Sequence, residues 1–71
     1  MKSAKPKTAQ LMHAARISQK ATQAEFAKLL GVSRADVSKY ETGRTTPAGD
    51  KILRLSEIIS EKSFLRILYS L

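Results

Sequence analysis

Residues 22–42, TQAEFAKLLGVSRADVSKYET, decide the fold. Thr22 and Glu25 stand at the spacing of a capping box. The Thr hydroxyl accepts from the backbone N–H three residues on, and the Glu carboxylate reaches back to the N–H of Thr22. The helix this opens, over 23–30, turns Phe26, Ala27 and Leu30 to one side. Gly31 stops it, because glycine enters the left-handed conformation at little cost. Only Gly31 and Val32 separate this stop from Ser33, which is the next cap, with Asp36 three residues on as a partial capping box. The second helix ends at Thr42-Gly43. Val37 and Tyr40 face inward at i and i+3, leaving Arg34, Ala35, Ser38 and Lys39 facing out. Two short helices joined so tightly must cross steeply, and Ala27 is small where they pass.

Outward from this unit, the pattern remains helical. Good helix formers fill 7–19, with Thr8, Met12, Ala15, Arg16 and Gln19 on one weakly apolar side that Leu11 and Ile17 widen, so packing there is expected to be light. Residues 43–49, GRTTPAG, are a turn by composition. A fourth helix is expected over 48–59, capped by Thr46 or Ala48, with Asp50 suited to its first turn and Ile52, Leu55, Ile58 and Ile59 on its apolar face. A fifth runs from about Glu61 to Tyr69. The expected fold is all-α, five short helices, with residues 1–6 a flexible basic arm and 7–71 one domain. Leu65 and Leu68 of the last helix are assigned to the core. Phe64, Ile67 and Leu71 are then left as candidate dimer contacts, which makes 60–71 a candidate dimerisation helix.

The chain has 71 residues, so one small core of modest stability is expected, and dimerisation is a common remedy. With no cysteine and a lone His13, neither disulfides nor a metal site can be assembled, and no cofactor is implied. Paired carboxylates in a plausible pocket are missing as well, so an enzyme is not expected. No stretch approaches the ~20 apolar residues of a membrane span, and no apolar run follows the basic N-terminus as in a signal peptide. A cytoplasmic setting is therefore expected. Thirteen Lys and Arg against six Asp and Glu give a net charge of +7, which attracts polyanions such as nucleic acid. Lys28, Lys51, Lys62 and Arg66 are read as a solvated face, and Phe26, Leu30, Val37, Tyr40, Ile52 and Leu55 as core.

The stretch TQAEFAKLLGVSRADVSKYETGRTTP resembles the lambda-repressor/Cro-like (XRE-type) helix-turn-helix family. The resemblance rests on Arg16, Thr22, Gln23, Phe26, Ala27, Leu30, Gly31, Val32, Ser33, Val37, Glu41, Gly43 and Pro47, and covers about residues 8–59. It implies a lambda-repressor-like DNA-binding domain whose second motif helix, starting at Ser33, enters the major groove of double-stranded DNA. It further implies that Arg16 and Glu41 form a partly buried ion pair. Arg34, Ala35, Ser38 and Lys39 then face base edges, and Gln23, Ser33, Thr42 and Arg44 approach phosphates. The chemistry is consistent: an arginine fork matches guanine O6 and N7, and alanine can touch a thymine methyl. Lys2, Lys5 and Lys7 could follow a DNA groove or add only non-specific attraction. The function expected is a prokaryotic or phage transcriptional regulator, a repressor before an activator, acting as a homodimer on a palindromic operator. Almost the whole chain is used by the domain, so no small-molecule ligand is expected. The alternative is an antitoxin or adaptor whose domain binds a protein partner, and Arg34 and Lys39 discriminate the two.

Overall fold

The computed structural model describes residues 6–70. Five helices follow one another: α1 Lys7–Ser18, α2 Gln23–Leu30, α3 Arg34–Thr42, α4 Gly49–Ile58 and α5 Glu61–Ser70. There is no strand among the described residues. α3 packs on both α1 and α2, α5 lies on α1, and α4 lies on α2.

Local signals set the helix ends. The capping box at Thr22 is complete: Glu25 N–H donates to Thr22 Oγ1 at 3.1 Å, and Thr22 N–H donates to Glu25 Oε1 at 2.8 Å. The box at Ser33 is complete too, since Asp36 Oδ2 accepts from Ser33 N–H at 3.2 Å and Asp36 N–H donates to Ser33 Oγ at 3.1 Å. The shorter aspartate thus closes what the sequence pattern marked only as partial. At the C-termini, Gly31 and Gly43 take left-handed conformations, with φ of 76° and 81°. Val32 N–H returns to Ala27 O at 3.0 Å and Arg44 N–H to Lys39 O at 2.9 Å, the six-to-one closure of a Schellman motif. α1 ends the same way, with Ala21 N–H on Arg16 O at 3.3 Å, but its left-handed residue is Lys20, at φ 54°.

The core is made by Leu11, Met12, Ala15, Phe26, Ala27, Leu30, Val37, Leu55 and Ile59, with Val32, Tyr40, Ile52, Ile58, Phe64 and Ile67 packed half-buried against it. Burying one large apolar side chain contributes about 1.5–3 kcal/mol, so fully enclosed Phe26, Met12, Leu30, Leu55 and Val37 dominate cohesion.

Two expectations about helix phase are corrected. α1 buries Ala9, Leu11, Met12 and Ala15 and leaves Gln19 and Ile17 exposed, so its packing is tight rather than light. On α5 the assignment inverts: Phe64 and Ile67 pack on the core, while Leu65 and Leu68 are each 41 % exposed. The reason is that α5 rests on α1, and the side of α5 facing it carries Phe64 and Ile67. Leu71, the third candidate dimer contact, lies outside the described residues, as do Lys2 and Lys5 of the basic arm. α4 behaves as expected, with Leu55 and Ile59 buried and Ile52 and Ile58 half-buried; Ala48 caps it without a side-chain hydrogen bond.

Candidate nucleic-acid interface

α3 is amphipathic in a particular way. Val37 and Glu41 are buried, Tyr40 is half-buried, and Arg34, Ala35 and Lys39 are exposed. An open groove of about 420 Å³ runs along this outer side, lined by Arg34, Ala35, Ser38, Lys39, Thr42 and Arg44. All four residues expected to face base edges are therefore together, and two of the four expected at phosphates, Thr42 and Arg44, join them. Three of the lining side chains are cationic and none is acidic. The surface thus offers guanidinium and ammonium donors to a polyanion, with a methyl group between them.

The nearest acid on the helix, Asp36, is held at the N-terminus. Hydrogen bonds from the Ser33 N–H, then the Ser33 hydroxyl group, lower its pKa below the usual aspartate range, with Lys39 adding a smaller push in the same direction. Its charge is spent on the cap rather than presented to the groove. Glu25 is lowered in the same manner, mainly by the N–H of Thr22. Tyr40 is shifted the other way: burial raises its phenol, with smaller contributions from Asp36 and Asp50, so it stays a neutral packing residue.

Behind the groove lies the ion pair. Arg16 Nε meets Glu41 Oε2 at 2.7 Å and Nη2 meets Oε1 at 3.2 Å, a two-pronged contact between α1 and the last turn of α3. The third donor, Nη1, reaches Ala21 O at 3.0 Å, just past the end of α1. Glu41 is 5 % exposed, and the Arg16 side chain 16 %. Gln23, at the first turn of α2, donates from Nε2 to Glu41 Oε1 at 3.4 Å. Gln23 is therefore placed against the pair and does not line the groove. Ser33 also stands outside it, at the N-terminus of α3. Thr42 Oγ1 donates back to Ser38 O at 3.0 Å and Lys39 O at 3.2 Å.

Three features escaped the sequence reading. Arg54 Nε donates to Leu29 O at 3.1 Å and so fastens α4 to the end of α2. Ser60 caps α5, accepting from Ser63 N–H at 3.1 Å; a serine just before an apolar helical run was the signal. Pro6 sits on Gly43, so closely that a Cβ there would lie 2.9 Å from Pro6 Cδ. No local pattern reports a contact between residues so far apart in the chain.

Among the described residues no group of acids and histidine is placed to hold a metal ion, and no helix is long and apolar enough to cross a membrane.

A pair of capped helices joined by a glycine turn, with the second presenting a cationic outer face, defines a helix-turn-helix domain. The helix-turn-helix family model matches residues 12–63, and the chain belongs to this family, the XRE, lambda-repressor-like group of DNA-binding regulators. Nothing matches among curated proteins or solved structures.

Proposed function

We propose that this chain is a sequence-specific transcriptional repressor that inserts α3 into the major groove of duplex DNA. The observation that carries the reading is the groove on α3, where Arg34, Ala35, Ser38 and Lys39 are presented together with Arg44 and without an acid. Arg34, in the first turn, is the residue for a bidentate contact to guanine; Lys39 and Ser38 add donors, and Ala35 offers its methyl to thymine. Arg44 meets backbone phosphate. Ser33 contributes as well, once its hydroxyl proton turns from the Asp36 carboxylate to a phosphate oxygen. Thr42 must release its bond to the helix carbonyls to do likewise. Gln23 steadies Glu41 and sits at the N-terminus of α2, where backbone N–H groups favour an anion.

The longest extent of the described residues is 34 Å, about one turn of duplex, so one domain covers one half-site. The reading therefore includes a homodimer on a palindrome, with repression by occluding the promoter. The dimer contact is reassigned from the earlier expectation: Leu65, Leu68 and Tyr69 share one exposed side of α5, at 41 %, 41 % and 87 % exposure. In vitro selection of duplexes at stated salt tests the whole reading, since it returns half-site, spacing and symmetry together. Enrichment of a defined site that is lost in Arg34→Ala/Lys39→Ala is the expected result. No enrichment, or a variant that binds as well as the parent, refutes it.

A further inference from the structure

The residues that line the groove from α3 are not equivalent. At about 100° of turn per residue, Arg34 and Lys39 stand about 140° apart around the helix, with Ser38, Thr42 and Ala35 at angles between them. The groove therefore has a cation on each flank and small side chains along its middle. None of the three middle side chains extends past its γ position, so the backbone of α3 can come close to whatever fills the groove. Along the axis the two cations are about 7.5 Å apart. Both are exposed, and among the described residues neither side chain is held by a hydrogen bond or an ion pair. Arg16 is the contrast, since its guanidinium is committed to Glu41. Arg44 lies past the end of α3, beyond both flanks.

The major groove of duplex DNA is about 12 Å wide and admits one helix. Its two walls belong to opposite strands, and a guanine presents O6 and N7 toward the side of its own strand. Side chains on opposite flanks of an inserted helix therefore reach purines of opposite strands. A helix lying in the groove advances about one base pair for every three residues, so five residues pass about two base pairs. Resting on the reading proposed above, we infer that Arg34 and Lys39 divide the strands between them. Each is the specificity-determining residue for one guanine, and the two guanines lie on opposite strands within about two base pairs of each other. The small middle of the groove favours bases over phosphates as their targets. It lets α3 sink until base edges, rather than the phosphates at the rim, are nearest to both cations. A contact to phosphate would carry no sequence information, and Arg44 is left for that task.

The test uses the full chain and labelled duplexes carrying the selected half-site, in which each guanine of each strand is replaced in turn by 7-deazaguanine. The analogue lacks the N7 acceptor. One sensitive guanine is expected on each strand, and either replacement should weaken the parent by roughly tenfold, the loss of one hydrogen bond to a charged donor. Arg34→Ala is expected to become indifferent to one of the two replacements and to keep its response to the other; Lys39→Ala should show the reverse. Each response is a ratio within one protein, so a change in folding stability does not imitate it. Two sensitive guanines on the same strand overturn the inference. So do Arg34→Ala and Lys39→Ala that silence the same guanine. A third contrary result is a Lys39→Ala that keeps both responses while the slope of log K against log salt falls by about 0.9, the signature of a phosphate contact. If the parent selects a site without guanines on both strands, only this inference fails; if it selects no site, the underlying reading fails with it.

Discussion

Replacing Arg16 by methionine separates the ion pair's contribution from that of the arginine stem. Methionine keeps most of the aliphatic length that lies along the core. It removes the 2.7 Å and 3.2 Å contacts to Glu41 and the 3.0 Å contact to Ala21 O. Glu41, at 5 % exposure, is then left with the 3.4 Å contact from Gln23 as its named partner. Stranding one member of a buried pair typically costs about 3–5 kcal/mol. Arg16 keeps some access to water, with its side chain 16 % exposed, so the lower end of that range, about 3 kcal/mol, is expected. A domain of this size holds roughly 4–10 kcal/mol in all, so the variant forfeits about 30 % or more of its stability. At about 4–8 °C per kcal/mol for a small domain, melting falls by at least about 12 °C. Glu41→Leu alone should be milder, because Arg16 can turn its guanidinium outward. The double variant Arg16→Met/Glu41→Leu should recover most of the loss, since an apolar pair of similar volume often matches a buried ion pair. Urea unfolding followed by circular dichroism measures all four corners of the cycle. If Arg16→Met loses less than about 1 kcal/mol, the pair behaves as a surface contact and the reasoning from its burial is wrong.

Three further outcomes follow from the same geometry. Gly31→Ala and Gly43→Ala both force a side chain into the left-handed region, at about 1–2 kcal/mol. Gly43→Ala should lose more in urea unfolding, because only there does the new Cβ meet a neighbour, Pro6, at 2.9 Å. Lys20→Gly should stabilise by roughly 0.5–1 kcal/mol, the balance of relieved left-handed strain and added chain entropy; a lower melting temperature would contradict this. Glu25 and Asp36 both have lowered pKa values in the folded chain. A carboxyl lowered on folding adds stability above its unfolded value and surrenders it as pH falls through the folded one. Melting temperature should therefore drop as pH is taken below about 4.5, and Glu25→Gln/Asp36→Asn, which keeps the capping oxygens, should flatten that part of the profile.

Much of the candidate interface was legible because its determinants are local. Thr22 with Glu25 and Ser33 with Asp36 act across three residues, and Gly31 and Gly43 act at single positions, so the start and stop of α2 and α3 need no knowledge of the rest of the chain. Once α3 runs Arg34–Thr42, with Val37 turned inward, its helical period sends Arg34, Ala35, Ser38 and Lys39 outward. The pairing of Arg16 with Glu41 came from resemblance rather than from spacing, and the structure places it at 2.7 Å.

The tertiary structure decided the questions in which a helix has two apolar sides or a side chain has a distant partner. Periodicity states which residues of α1 and α5 share a face; it does not state which face turns inward. That phase is set by the neighbour, and α5 against α1 buries Phe64 and Ile67 in place of Leu65 and Leu68. The same holds for Gln23 against Glu41, Arg54 on Leu29 O and Pro6 on Gly43, each spanning at least eighteen residues. The sequence by itself determined that α3 would form and offer a cationic outer face, because caps and glycine stops are short-range. Only the assembled helices decided which apolar side chains remain outside and which groups brace α3 from behind, because those contacts exist only after the chain has closed on itself.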